Sequence, residues 1–121
     1  MGNMAQTAAL AVIRNRTDFL KAARARRQGT PGLILQARQR DAGEATGIRV
    51  GFTCSRKVGN AVQRNRAKRR LRAAARLVLG REGRAGWDYV LIGRANATAQ
   101  RDFRALQADL AGALHKIHAQ R

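Results

Sequence analysis

One cysteine, Cys54, stands alone in the chain. No internal disulfide can form, and nothing points to an oxidising compartment. Aromatic residues are also scarce, at 4%, so a core has to come mainly from scattered Leu, Val, Ile and Ala. Long apolar runs are missing. The run from Ala8 to Ile13 is far too short to cross a bilayer. It has no basic flank ahead of it and is followed at once by Arg14 and Arg16, which speaks against a cleaved signal peptide. A soluble cytoplasmic protein is expected.

The most telling shortage is of acid. Seven Asp or Glu face 25 Lys or Arg, for a net charge of +18 and a pI near 12.0. Such a charge repels itself unless a polyanion neutralises it, and nucleic acid is the usual polyanion. Arginine supplies most of the charge, which favours planar two-point contact with phosphate or a guanine edge. A membrane surface is the other partner to weigh, but the densest basic segment lacks the large apolar face that such binding needs. The seven acids, Asp18, Asp41, Glu44, Glu82, Asp88, Asp102 and Asp109, include no close pair suited to hold metal for phosphodiester cleavage. No catalytic residue is expected in this chain.

The length suits one domain. Residues 1–13 read as a flexible lead-in, and residues 14–121 as the domain. Thr17 is a candidate N-cap for a helix through about Arg27, with Phe19 and Ala23 one turn apart on its inner face. Gly29, Thr30, Pro31 and Gly32 break it. Leu33 to Ala37 reads as a strand, Asp41 to Gly47 as a polar loop, and Ile48 to Cys54 as a second, alternating strand. A long helix follows from Asn60 or Ala61 to about Leu79, with Gly80 as its stop. Gly83 to Gly86 is a turn, and Trp87 to Gly93 a strand with Tyr89 and Leu91 on one face, Val90 and Ile92 on the other. Phe103, Leu106, Leu110, Ala113, Leu114 and Ile117 form one apolar stripe on a final helix from about Thr98. The pattern is a small α+β domain in which helices cover a sheet.

Between Ala45 and Arg81 there is no acid and there are eleven Arg or Lys. The stretch Arg64-Asn65-Arg66-Ala67-Lys68-Arg69-Arg70-Leu71-Arg72 holds six of them in nine residues. At about 100° per residue, Ala67, Leu71, Ala74 and Val78 form a narrow inner stripe. Asn65, Lys68, Arg69, Arg72 and Arg76 lie on the far side, with Arg66 and Arg70 flanking. A merely solvated face would mix signs, because like charges four apart destabilise a helix. The ladder Lys68–Arg72–Arg76 has no such relief, and phosphates laid over it would supply it. Ahead of the helix, Ser55 to Asn60 places hydroxyl, charge and glycine where free N–H groups favour an anion.

The run from Arg49 through Arg72 resembles the signature of the bacterial ribonuclease P protein family, a strand followed by S-[KR]-K-x-G-x-A-V and then R-N-R-x-K-R-x-x-R. Weaker similarity continues through Trp87 to Arg94, through the last helix, and back to Thr17-Asp18-Phe19. The resemblance implies a single α+β domain of order α-β-β-β-α-β-α, like the second domain of a ribosomal small-subunit protein, with a left-handed crossover at the basic helix. One short strand near Gly29 would have to be added to the elements above.

The resemblance also implies a task. In this family a catalytic RNA with Mg2+ removes the 5′ leader of precursor tRNA, while the protein binds that RNA and the leader. The magnesium is bound mainly by the RNA, and no protein partner or membrane is implied. By position, Arg56, Lys57, Arg64, Asn65, Arg66, Lys68, Arg69 and Arg72 are the expected contacts to the catalytic RNA. Phe19 resembles an aromatic of the leader cleft between the first helix and the sheet, although core packing would explain it equally well. A second phenylalanine expected one turn later is replaced by Ala23, and no stacking aromatic lies between Leu33 and Arg38. The leader contact is therefore expected to rest also on Arg24, Arg26 and Arg27.

A ribosomal or other structural RNA-binding protein would share the composition, and only the extended signature separates the two. A helix-turn-helix DNA regulator would need two adjacent short helices, where strands are predicted. His115 and His118 read as a cationic end to the last helix, Cys54 as a buried strand residue, and Trp87 as a core or strand-edge residue.

Overall fold

In the computed structural model, which describes residues 9–120, the chain runs β1 (Leu10–Val12), α1 (Arg16–Ala23), β2 (Arg26–Gly29), β3 (Leu33–Gln39), β4 (Ile48–Thr53), a 3-10 turn at Arg56–Val58, α2 (Ala61–Glu82), β5 (Trp87–Gly93) and α3 (Phe103–Ala119). From β2 onward the strands and helices follow the expected order, and the strand expected near Gly29 is β2. The strands form one sheet in the order β1-β4-β5-β3-β2. β4 lies parallel to both β1 and β5, whereas β3 is antiparallel to β5 and β2. Parallel neighbours require a crossover, and α2 makes it between β4 and β5.

Alternation along β5 divides the core. Tyr89 and Leu91 join Leu33, Leu35 and Val50 under Leu71 and Leu79 of α2 and Leu106, Leu110 and Leu114 of α3. Val90 faces the other way and packs with Ile13, Ala22 and the half-buried Phe19 and Ile92 beneath α1. Ala67, Leu71, Ala74 and Val78 are all buried, as the helical placement requires.

Several boundaries differ from the sequence reading. Of the lead-in expected over 1–13, residues 1–8 lie outside the described residues. Leu10–Val12 is instead a strand on β4, and the buried Ile13 donates its N–H to the Val50 carbonyl at 2.9 Å. A strand of three residues is too short to betray itself by alternation. α1 starts at Arg16 with Asn15 in the cap position, so Thr17 is not the cap, and it stops at Ala23. Ala23 is exposed, and Ala22 takes the inner position. Arg26–Gly29 cannot continue the helix because its backbone pairs with Ile34–Ala37. β3 runs on to Gln39, and β4 ends at Thr53, leaving Cys54 just beyond it.

Gly80 is buried inside α2, and the stop falls at Gly83, whose N–H bonds to the Leu79 carbonyl. Thr98 does not start α3; Asp102 caps it through the Ala105 N–H. The Thr98 hydroxyl is buried. It donates to the Gly32 carbonyl at 2.6 Å and accepts from the Arg94 N–H at 2.8 Å, pinning the loop after β5.

Candidate nucleic-acid interface

The basic helix is held by its own first turn. The Asn60 side chain accepts from the Gln63 N–H, and the Gln63 side chain accepts from the Asn60 N–H, both at 2.9 Å. This reciprocal capping box occupies N–H groups that an anion would otherwise use, so the anion expected at this helix start loses those donors. Gly59 adopts φ 145°, and any side chain there would run into Gln63. Arg56 and Lys57 project from the 3-10 turn just before, exposed.

Along α2, Asn65, Arg66, Arg69 and Arg72 are exposed, while Arg64 and Lys68 are half-buried. Among the described residues the ion pairs are made by Arg38, Arg40, Arg49 and Arg101, and none by the basic residues of α2. Arg70 is an exception in another way. Its Nε donates to the Thr98 carbonyl at 2.9 Å, its Nη2 donates to the Arg101 carbonyl, and its guanidinium lies 5.7 Å from the Phe103 ring centre. One arginine of the dense stretch thus fastens the segment before α3.

Phe19 and α2 meet in a groove of about 820 Å³. It runs past the end of β1, where β4 becomes the outermost strand, with α1 on one side and α2 on the other. Phe19, Gly51, Phe52, Lys68, Arg72 and Arg76 line it. The Phe19 ring lies directly on Gly51: a Cβ added there would sit 2.5 Å from Phe19 Cε1. Phe52 reaches the groove from the opposite face, with the Arg72 guanidinium 5.8 Å from its ring centre. Phe52 is therefore a second groove aromatic, supplied by β4 rather than by α1 or β3. Lys68 and Arg72, which the motif assigns to the catalytic RNA, share this groove with Phe19.

The arginines grouped with Phe19 from the sequence do not join it. Arg27 is on β2, with β3 and β5 intervening before β4. Three strand spacings, about 14 Å, separate the two. Arg24 is exposed at the C-cap of α1. Arg26 points to the α3 side of the sheet, donating to the Ile117 carbonyl at 2.8 Å and lying 5.2 Å from the Trp87 ring centre. Its charge closes the end of α3, which sets it apart from any site at Phe19.

Sequence reasoning missed a second charged feature. Asp88 is fully buried in β5. Its carboxylate accepts from Arg40 Nη1 at 2.6 Å and from Arg49 Nε and Nη2 at 2.8 Å each, with Arg38 at 3.4 Å. Asp18 of α1 lies 3.5 Å from Arg49, and Glu44 lies 2.7 Å from Arg38. The Asp41 backbone N–H and then the Arg38 side chain hold the Glu44 carboxyl below its ordinary range. The hydrogen bond to Asp88 raises Arg49 further. The network ties α1 to the sheet one residue before Phe19. An acid in the midst of the apolar run Trp87–Gly93 was the available signal.

The far end of α3 corrects another expectation. His118 is not a cation: burial pushes its pKa down to about 4, helped by the nearby Arg84 and Arg26 charges. Its Nε2 lies 2.8 Å from the Tyr89 hydroxyl, and its ring meets Trp87 edge-on at 4.4 Å. Burial raises Tyr89 to about 12. His115 is exposed, and Trp87 is a core residue. Burial also pushes the Cys54 thiol up. No described helix is long and apolar enough to cross a membrane.

The family model described as Ribonuclease P matches residues 8–118. The ribonuclease P protein component of Ruegeria pomeroyi is 70% identical over 110 residues, covering 91% of this chain and 88% of that one. The ribonuclease P protein component of Gluconacetobacter diazotrophicus is 50% identical over 105 residues, covering 86% and 88%. Among solved structures, the RNase P protein of Staphylococcus aureus has a TM-score of 0.69 at 23% identity, with 87% and 93% covered. That of Thermotoga maritima has a TM-score of 0.66 at 24% identity, with 88% and 93% covered. These structures share the fold of this chain.

Proposed function

The chain belongs to the ribonuclease P protein family, and from that premise we propose how its two basic surfaces divide the work of a tRNA-processing ribonucleoprotein. The outward surface of the 3-10 turn and α2, with Arg56, Lys57, Arg64, Asn65, Arg66 and Arg69, holds the catalytic RNA. The groove holds the single-stranded 5′ leader of precursor tRNA. There Phe19 and Phe52 offer faces for bases, while Lys68 and Arg72 meet the backbone. Stacking on aromatics beside a cationic wall is how single strands are held without hydrogen bonds to base edges.

The observation that carries this reading is the convergence of Phe19, Phe52, Lys68 and Arg72 on one groove. Three separate elements supply these residues. No carboxylate in the described structure pairs with either groove cation. The chemistry belongs to the RNA and its magnesium. Asp88, Asp18 and Glu44 are engaged by Arg38, Arg40 and Arg49, and the described residues include no cluster of three or more side chains that could hold a metal ion. The protein's part is to position two RNAs in the cytoplasm, where tRNA is made.

Reconstitution tests the reading. This protein is added to a bacterial ribonuclease P RNA at low magnesium, and cleavage of precursor tRNA is followed. Stimulation is expected, together with tighter binding of substrates that carry a leader. No stimulation at any protein concentration would sink the assignment.

A further inference from the structure

The groove does not end at Arg72. One turn further along α2, Arg76 stands exposed on the same wall. Beside it the lining changes from aromatic to aliphatic, with Leu10 and Val12 of β1 and Leu77 of α2. Val12 is 54% exposed and Leu77 40% exposed, although both are large and apolar. Arg76, like Lys68 and Arg72, has no carboxylate partner among the described residues. Leu10 packs in part against the main core, but Val12, Leu77 and Arg76 are left exposed, and the ion-pair network does not reach them.

Residues four apart on a helix are separated by about 6 Å along its axis. Lys68, Arg72 and Arg76 therefore form an evenly stepped row of cations. An extended nucleic-acid strand is stepped in a similar way, with one phosphate per nucleotide and the bases free to turn to one side. A uniformly cationic wall beside an apolar floor suits such a strand: each step offers a charge for a phosphate and a surface for a base. The stretch with Lys68 and Arg72 has Phe19 and Phe52 as its floor. The stretch with Arg76 has Leu10, Val12 and Leu77.

We propose that Arg76, with Leu10, Val12 and Leu77, forms an additional nucleotide subsite that extends the groove by one residue of single-stranded RNA. The proposal rests on the reading of the groove as the leader site and deepens it. Its lining side chains contribute no hydrogen-bonding group apart from the Arg76 guanidinium. The subsite thus accepts a base by its face, whatever its identity, and a phosphate by charge. Arg76 lies beyond the signature that ends at Arg72, so the subsite belongs to this chain's own groove rather than to that motif.

The test uses the holoenzyme reconstituted with a bacterial ribonuclease P RNA and a series of precursor tRNAs whose leaders lengthen one nucleotide at a time. With the unmodified protein, affinity climbs in steps and then levels. Arg76→Ala should remove the last step, a loss of about tenfold, typical of one charge-assisted contact. It should leave the shorter-leader steps and binding of leaderless tRNA unchanged. At the full leader length the log–log salt slope should be about 0.7 shallower, the value for one single-strand phosphate. Val12→Ser should lose part of the same step without changing that slope.

An Arg76→Ala profile identical to the unmodified one would overturn the subsite. So would an equal loss at every length including none, which would place Arg76 on the catalytic RNA. Phe19→Ala and Arg72→Ala are run beside it. If these also leave leader dependence untouched, the leader reading itself has failed; if only Arg76→Ala is silent, the subsite alone has.

Discussion

Gly51→Ala is the substitution that best separates packing from binding in this protein. The new Cβ would lie 2.5 Å from Phe19 Cε1, 2.6 Å from Phe19 Cζ and 3.4 Å from Ile13 Cδ1. Ordinary carbon contacts begin near 3.5 Å, so the ring has to move by about 1 Å or more. It can do so because Phe19 is half-buried and its outer side faces the groove. The stability cost should therefore stay near the lower end of the ~1–3 kcal/mol typical of overpacking. The binding cost should be larger in proportion. A ring lifted from its shelf no longer presents its face to a base, and one stacked base is worth about 1–3 kcal/mol. That corresponds to roughly a 5- to 150-fold loss of affinity.

Two assays divide these effects. Urea unfolding reads the first, and equilibrium binding of leader-bearing against leaderless precursor tRNA to the reconstituted holoenzyme reads the second. The expected pattern is a small shift in unfolding midpoint, unchanged affinity for the catalytic RNA and a marked loss of leader dependence. A variant that stays folded and keeps its full leader dependence would refute the placement of Phe19 in the leader site.

Other substitutions address the rest of the molecule. Asp88→Asn removes the charge on which Arg38, Arg40 and Arg49 converge, and Arg40 is only 1% exposed. It should cost about 3–5 kcal/mol in urea unfolding, the usual result of leaving a buried ion without its partner; a loss below about 1 kcal/mol would mean that water reaches the cluster. Arg66→Ala and Arg69→Ala should each make the salt dependence of catalytic-RNA binding shallower by about 0.7–0.9 on a log–log plot. Arg70→Ala should leave that slope alone and instead destabilise the fold by about 1–3 kcal/mol, because its guanidinium is bound to the Thr98 and Arg101 carbonyls. A slope that responds to Arg70→Ala would contradict this division.

The pH dependence of stability should carry the mark of His118. Its pKa is about 4 when folded against 6.5 when free, so the unfolded chain binds more protons between those values. The stabilising contribution is complete above pH 6.5 and is lost as the pH falls towards 4. In His118→Gln, urea midpoints measured across that window should rise less steeply with pH. Identical profiles would show that His118 titrates alike in both states.

What could be read from the sequence was what near neighbours determine. The inner stripe Ala67, Leu71, Ala74 and Val78, the two faces of Trp87–Gly93 and the apolar face of α3 follow from helical and strand periods that span a few residues. The acid-free basic stretch and its signature are likewise contiguous, and they point to the family without reference to the fold. Other features depend on which distant segments pair. Arg26, expected beside Phe19, instead donates to the Ile117 carbonyl, 91 residues away. Arg49 meets Asp88 across 39 residues, and Arg70 meets Thr98 across 28. Arginines look alike in a sequence, whether they face a phosphate, a buried carboxylate or a helix end.

The groove is the clearest case. Phe19, Phe52 and Lys68 come from three different elements, and they converge only because β1 stops short and leaves β4 as the outer strand. Local order along the chain is enough to show that it is basic, where its long helices and strands lie, and which helix carries the densest charge. Which of those charges stay unengaged depends on the packing of distant segments, because a charge is available to a partner only when the fold places no carboxylate or carbonyl within reach of it.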